Sequence, residues 1–458
     1  MSLLERLERQ KSIGQPSAAE NTAPSARQNT RRAPVSVSPN DDFAELKSRA
    51  HREVIDLLNR ESGQKQKEEI NTEEHIRSAI ESVLDVQAAA IPRAERGRIV
   101  TELYSDIVGL GPLDPLLADD SISEIMVNGP NHIYVEIHGK IQETAVKFRD
   151  DEHVMSIINR IVTSIGRRID ESSPMVDARL EDGSRVNAII PPCALTGPTI
   201  TIRKFSKNPL TMDNLMRFGS LTPLMASFLE ACVKARLNIV VSGGTGSGKT
   251  TLLGALSDYI PESERIVTIE DAAELQLCQQ HVVTLESKPA NVEGNGAVTI
   301  RDLVRNALRM RPDRIVVGEV RSGETLDMLQ AMNTGHDGSL TTAHANSPRD
   351  LMSRLETMVL MSGLDIPVKA IREQISSALD VVVQQARLRD GSRKIISISE
   401  VVGMEGDTIT LQDIFVYRPT GFGPDGTKGA HIPTGIRPNF ARTMEDAGIV
   451  LRDEWFRA

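Results

Sequence analysis

Cysteine, aromatic residues and positive charge are all scarce in this 458-residue chain, and each scarcity excludes something. Cysteine occurs three times, as Cys193, Cys232 and Cys278. These are too few and too scattered for a disulfide framework or a four-cysteine zinc site. The compartment expected of such a chain is the reducing cytoplasm. Aromatic residues make up 3% and the formal net charge is −10. A bulk nucleic-acid binder shows the reverse, a basic surface with rings for base stacking. No uncharged apolar run approaches the ~18 residues of a spanning helix, so no membrane span is expected. The opening M-S-L-L-E-R-L-E-R-Q lacks the apolar core of a secretory signal. There is no internal repeat and no guanine-specifying N-K-x-D.

What is present has ordinary globular balance, 40% hydrophobic and 25% charged. At roughly 150 residues per domain the length suggests about three units. Residues 1–40 read as a disordered tether, because 12–40 are rich in Ser, Pro, Ala, Gln and Asn. Leu3, Leu4 and Leu7 form a short apolar stripe before it, either a frayed helical stub or a docking peptide.

Residues 41–110 read as a small helical bundle. Phe43, Leu46, Ala50, Val54 and Leu57 recur at helical spacing. Asn71 and Glu74 suggest a capping box for a second helix with Ile76, Ile80, Val83 and Leu84 on one face. A third follows Pro92 with Ile99, Leu103 and Ile107, and Gly109-Leu110-Gly111-Pro112 stops it. Residues 111–205 read as an α+β domain: strands at 122–127 and 133–137, a helix at about 152–167, a hairpin of 175–180 with 185–190, and a strand at 199–204. Residues 206–220 read as a polar linker. From 221 to 392, apolar strands at 238–242, 265–269, 281–285, 314–317, 339–343 and 380–385 alternate with helices, which implies a parallel sheet covered on both faces. Residues 393–458 read as a terminal hairpin, about 393–417, and a Gly/Pro-rich tail.

The strongest local signal is Gly243-Gly244-Thr245-Gly246-Ser247-Gly248-Lys249-Thr250, followed by Thr251. It is a complete G-x-x-x-x-G-K-[ST] loop running from a buried strand into a helix. The glycines let backbone N–H groups turn inward around phosphate oxygens, and the helix adds the positive end of its dipole. Lys249 is placed to meet the β- and γ-phosphates, and Thr250 to hold Mg²⁺. ATP is favoured over GTP, and a dinucleotide is disfavoured by the Lys-Thr at the helix start. Two strands end in acids, Glu270-Asp271 and Glu319, where ligand chemistry falls in a parallel sheet. His344 ends a third strand. Arg301, Arg305 and Arg309 share helical spacing, and read as an ion-pair network or an anion site at a subunit boundary. Arg179, Arg185 and Arg203 lie on neighbouring strands and can form one basic patch.

Taken together, the glycine loop, Thr268-Ile269-Glu270-Asp271, Arg314–Glu319 and Gly335–Ser347 resemble the hexameric type II/IV secretion and pilus-assembly ATPases. The last three match their aspartate box, atypical Walker B and histidine box, in the family's order. The resemblance covers roughly residues 110–390. Ser322 stands where the family often has Gly. The run 175–192 and the helical N-terminal extension are most similar to the CpaF-type motors of tight-adherence (Flp/Tad) pili. Three isolated cysteines argue against the zinc-bearing type II and type IVa motors, and type IV secretion ATPases are the alternative. The resemblance implies an α/β fold: a RecA-like P-loop ATPase domain preceded by an α+β (PAS-like) N-terminal domain and a small helical bundle. It implies a cytoplasmic homohexamer recruited to inner-membrane platform proteins, with no nucleic acid as partner, hydrolysing ATP with Mg²⁺. Glu270, Glu319 and His344 would be catalytic, Glu319 would reach the metal through water, and Arg179 or Arg185 would close on the γ-phosphate. Two rival classes are a nucleic-acid motor, which shares the core fold, and a nucleotide-gated scaffold with negligible turnover.

Overall fold

The protein was analysed as a computed structural model that describes residues 43–62, 73–87, 91–137, 139–205, 209–290, 294–423 and 426–457. The N-terminal tether, its leucine stripe and the Asn71 cap lie outside the described residues. Among the described residues three helices come first: α1 (Ala44–Ser62), α2 (Glu73–Gln87) and α3 (Arg93–Val108). Of the positions the helical period marks, Ala50, Val54, Ile76, Ile80, Val83, Leu84, Ile99 and Leu103 are buried and Phe43, Leu46, Leu57 and Ile107 half-buried; Ala79 and Val100 are buried as well. A 3₁₀ turn at Gly111–Leu113 and a short α4 (Asp114–Ala118) follow. Gly111 has φ +60°, where glycine carries no Cβ penalty.

The next layer is a six-stranded antiparallel sheet in the order β3-β2-β1-β6-β5-β4. Its strands are β1 (Ile122–Asn128), β2 (His132–Ile137), β3 (Lys140–Glu143), β4 (Met175–Arg179), β5 (Arg185–Ile189) and β6 (Thr199–Arg203). Helix α5 (Asp151–Ser164) covers one face, capped by Asp150, whose carboxylate accepts from His153 N–H at 2.7 Å. Alternation sorts the strands: Val176, Ala178, Val186, Ala188, Ile200 and Ile202 point to α5 and its core. The residues between them face outward, so Arg179, Arg185 and Arg203 form one cross-strand row.

The polar segment after β6 is not unstructured. Residues Met212–Arg217 form α6, because Thr211 and Asn214 make a full capping box and Met212 and Leu215 bury themselves.

A nine-stranded mixed sheet follows, in the order β15-β14-β13-β12-β7-β11-β10-β8-β9. In chain order its elements are α7 (Pro223–Lys234), β7 (Ile239–Gly243), α8 (Lys249–Ser257), β8 (Ile266–Glu270), β9 (Val282–Glu286), α9 (Ile300–Ala307), β10 (Arg314–Val320), α10 (Glu324–Asn333), β11 (Leu340–Ala343), α11 (Pro348–Leu360), α12 (Val368–Ala378), β12 (Val381–Arg387), β13 (Arg393–Glu405), β14 (Thr408–Gly423), β15 (Gly426–Pro433) and α13 (Ala441–Asp446). Strands β12, β7, β11, β10, β8 and β9 are parallel. Successive residues alternate between two cores: Ile239 and Val241 join Phe228 and Leu252 on one face, Val240 joins Leu329 and Ile375 on the other. This is why the strands read as continuous apolar runs.

The segment after 417 departs from a plain tail. β15 pairs with β14, and Phe440, Met444 and Trp455 enter the core around Phe228. Trp455 meets Phe228 edge to face at 5.7 Å between centroids, and its Nε1–H donates to Ser227 Oγ at 2.8 Å. Among the described residues no helix is long and apolar enough to cross a membrane.

Candidate nucleotide-binding site

β7 is central and wholly buried, and the glycine loop grows directly from its carboxyl end. A Cβ on Gly243 would strike the carbonyl oxygen of Gln385 on β12, so only glycine passes there. Gly246 and Gly248 take φ +69° and +95°, which turns the chain back around an open centre before α8 begins at Lys249. Nothing lies within 4 Å of a Cβ built on Gly244. Ser247 Oγ is buried without a partner. An open cradle of unclaimed donors at a helix N-terminus suits phosphate oxygens. Thr245 is exposed at the rim, while Thr250 and Thr251 sit half-buried in the first turn of α8.

Lys249 is buried, and its Nζ donates to Gly244 O at 3.3 Å and lies 3.4 Å from both ring nitrogens of His344. Desolvation presses its pKa down, against the attraction of Glu319. His344 follows β11, and its Nε2 stands at ion-pair distance, 2.8 Å, from Glu319 Oε1, without hydrogen-bond angles. Burial, then Lys249, hold the imidazole below its usual range. Glu319 Oε2 accepts from Arg321 Nε at 2.9 Å and Nη2 at 2.5 Å. Thr342 Oγ1 donates to Gly318 O at 2.8 Å and locks β11 to β10 beneath this group.

Glu270 is more deeply placed. Its carboxylate accepts from Glu274 N–H at 3.1 Å and Leu275 N–H at 3.2 Å. Burial nevertheless lifts its pKa to about 7. It lies against Gly318, where an added Cβ would come within 2.7 Å of Glu270 Cγ. Lys249, His344, Glu319 and Glu270 therefore stand at the carboxyl ends of β7, β11, β10 and β8, brought together by strand order. A cleft of about 390 Å³ opens beside them, lined by Gly244, Thr245, His344, Ala345, Asn346 and Arg354.

Arg179 Nη1 meets Glu286 Oε2 on β9 at 2.6 Å, and Nη2 donates to Ala273 O at 2.9 Å. Arg185 stays on its own sheet, 3.9 Å from Asp177. The helical arginines are structural. Arg301 and Arg305 both hold the buried Asp327, at 2.8 and 2.7 Å, while α9 ends at Ala307 and leaves Arg309 off their face. Arg314 is fully buried with Glu264 and Gly338 O. Of the two readings of the helical arginines, Arg301 and Arg305 show the ion-pair network.

Among the described residues no group of three His, Cys, Asp or Glu stands ready to hold a metal ion. Mg²⁺ takes one or two protein oxygens and completes its shell with substrate phosphates and water. The Thr250 hydroxyl and the unsatisfied Glu319 Oε1 fit that donor set. Residues that sequence reasoning passed over are Gln385, Arg387 and Arg393, beside the loop on the opposite flank of β7. Their signal was the charge-dense turn R-L-R-D-G-S-R between two apolar strands.

A glycine loop between a central parallel strand and its helix, with acids at the neighbouring strand ends, defines a RecA-like P-loop domain, here preceded by an α+β layer and a helical unit. The chain belongs to the family described as "Type II/IV secretion system protein", which matches residues 106–422. It is 39% identical over 310 residues to a putative conjugal transfer protein of Mycobacterium tuberculosis, covering 66% of this chain and 88% of that one. It is 36% identical over 316 residues to the type IV secretion system protein VirB11 of Brucella abortus, covering 63% and 87%. The solved VirB11 ATPase of the Brucella suis type IV secretion system, in complex with sulphate, shares 35% identity over 65% of this chain and 97% of that one, with a TM-score of 0.35.

Proposed function

We propose that the protein is a Mg²⁺-dependent ATP hydrolase that powers a secretion or pilus machine, working as a cytoplasmic homohexamer recruited to inner-membrane platform proteins. The observation that carries the reading is the meeting of Lys249, His344 and Glu319 over the open glycine loop. Lys249 and the loop N–H groups bind the phosphates, and Thr250 with Glu319 holds the metal, Glu319 through water. Bound Mg²⁺ neutralises charge on the terminal phosphates. Glu270, with its raised pKa, is suited to take a proton from attacking water near neutral pH. Arg179 or Arg185 closes on the γ-phosphate when the α+β domain (111–205) moves against the ATPase domain (221–392), with 206–220 as joint.

The machine we favour on sequence is an assembly motor for Flp/Tad-type pili, with retraction as a further use. A type IV secretion motor of a conjugation or effector system is supported at least as well, since the relatives carry those names. Steady-state phosphate release by wild type and Lys249→Ala tests the enzyme: equal rates in both would end the reading. Deletion of the gene separates the machines, since loss of pili supports the first and loss of conjugation or effector delivery the second.

A further inference from the structure

The turn between β12 and β13, Arg387-Leu388-Arg389-Asp390-Gly391-Ser392-Arg393, stands beside the glycine loop. Gln384 and Gln385 pair with Ser242 and Gly243 of β7, so Arg387 projects past the end of that strand. Arg393 is its cross-strand neighbour on β13. Arg393 Nε–H donates to Gly246 O at 3.0 Å, and its Cδ lies 3.2 Å from a Cβ built on Gly248. Arg387 Nη1 lies 3.8 Å from a Cβ built on Gly246, and its Nη2 donates to Gly139 O at 3.4 Å. Both guanidiniums thus rest on the loop itself.

Neither has a carboxylate partner among the described residues. The nearby Asp390 is taken by Ser392 N–H and Oγ and by Thr427 N–H, at 2.9, 2.7 and 2.5 Å. Like charges directly opposite on paired strands repel, so the tip carries two facing guanidiniums that an anion between them would relieve. Strand order gives that anion its identity. β11 and β10, with His344 and Glu319, lie on one flank of β7, and β12 and β13 on the other. A nucleotide with its terminal phosphate toward His344, Glu319 and Lys249 would have the arginine flank across β7 from that phosphate.

We propose that Arg387 and Arg393 are ligands of the α-phosphate of the bound nucleotide. The proposal rests on the nucleotide reading above and adds the residues that hold the end of the ligand farthest from the acids. The guanidinium fork suits a phosphate, and the bond to Gly246 O already orients Arg393, so little freedom is lost on binding.

The test is a binding cycle on the full chain with ADP, ADP carrying sulfur at the α-phosphate and ADP carrying sulfur at the β-phosphate. Sulfur is a poor acceptor, so a liganded phosphate loses affinity when substituted. Arg393→Ala should weaken ADP about tenfold, the size expected for a hydrogen bond to a charged group. It should also shrink the α-sulfur penalty of wild type, the other arginine keeping part of it, and leave the β-sulfur penalty intact, the non-additivity of a direct contact. Arg387→Ala should behave alike, and Arg393→Lys should recover part of the ADP affinity. Unchanged ADP affinity, coupling to the β-sulfur, or a loss independent of both would overturn the assignment, the last because it marks a residue that merely shapes the loop. A wild type indifferent to α-sulfur would overturn it as well. Failure of wild type to bind ADP at all would instead refute the nucleotide reading beneath it.

Discussion

Arg179 of the six-stranded sheet grips Glu286 of the nine-stranded sheet at 2.6 Å, and its second donor holds Ala273 O, three residues beyond Glu270. The pair is over a third exposed on both sides, so as an ion pair it is worth about 0–1 kcal/mol. Arg179→Ala should therefore leave thermal stability almost unchanged. If closure brings the guanidinium to the γ-phosphate, kcat should fall by ~10- to 10³-fold with a smaller change in ATP affinity. We expect that fall in Arg179→Ala, Arg185→Ala, or both. Turnover within about twofold of wild type in both would leave only the ion pairs.

Lys249→Ala should abolish productive ATP binding while the chain still folds. The lysine is buried beside His344 and Glu319, and backbone donors cannot replace its charge at the β- and γ-phosphates. Equilibrium binding of a fluorescent ATP analogue, alongside circular dichroism, checks both parts.

Glu270 gives a pH signature. Its carboxyl is lifted by burial from an ordinary 4.5 to about 7, so the base form is gained as pH rises through 7. kcat should climb through that limb in wild type and lose it in Glu270→Gln, with kcat lower on the order of 10²-fold at pH 8. Glu319→Gln should lower kcat by a similar factor but keep the limb. The folded state binds this proton more tightly than the unfolded chain. Its contribution to stability is thus full below about 4.5 and is lost as pH rises through 7.

Gly318→Ala tests how closely the acid is held. The new methyl would lie 2.7 Å from Glu270 Cγ, so the carboxylate must shift from its Glu274 and Leu275 N–H donors. Overpacking of this kind costs roughly 1–3 kcal/mol. At least a tenfold loss of kcat is expected in a chain that still melts cooperatively, read by phosphate release and calorimetry.

Trp455→Ala should destabilise the protein by roughly 3–5 kcal/mol, the cost of truncating a large core side chain. The indole is 2% exposed and packed on Phe228. Chemical denaturation measures it, and a change below about 1 kcal/mol would return the C-terminal segment to the status of a tail.

The glycine loop was legible because its information is contiguous: a buried strand, a turn that needs positive φ at Gly246 and Gly248, and a helix start, all within 13 residues. Helical and strand periods were legible for the same reason, since each reports a face over a few neighbouring positions. Acids at strand ends could be marked as candidates, because Glu270 and Glu319 directly follow apolar runs.

Tertiary structure alone decided which distant residues meet. Strand order, not sequence order, sets His344 of β11 beside Glu319 of β10 and Lys249 after β7. It paired Arg301 and Arg305 with Asp327, the ion-pair alternative, joined Arg179 to a strand 107 residues away, and brought Arg393 over Gly246. It also folded α6 and drew Trp455 into the core, where polar composition had suggested a linker and a tail. The reason is physical: local spacing decides which face a side chain takes, but only the packing of whole elements decides what that face is laid against.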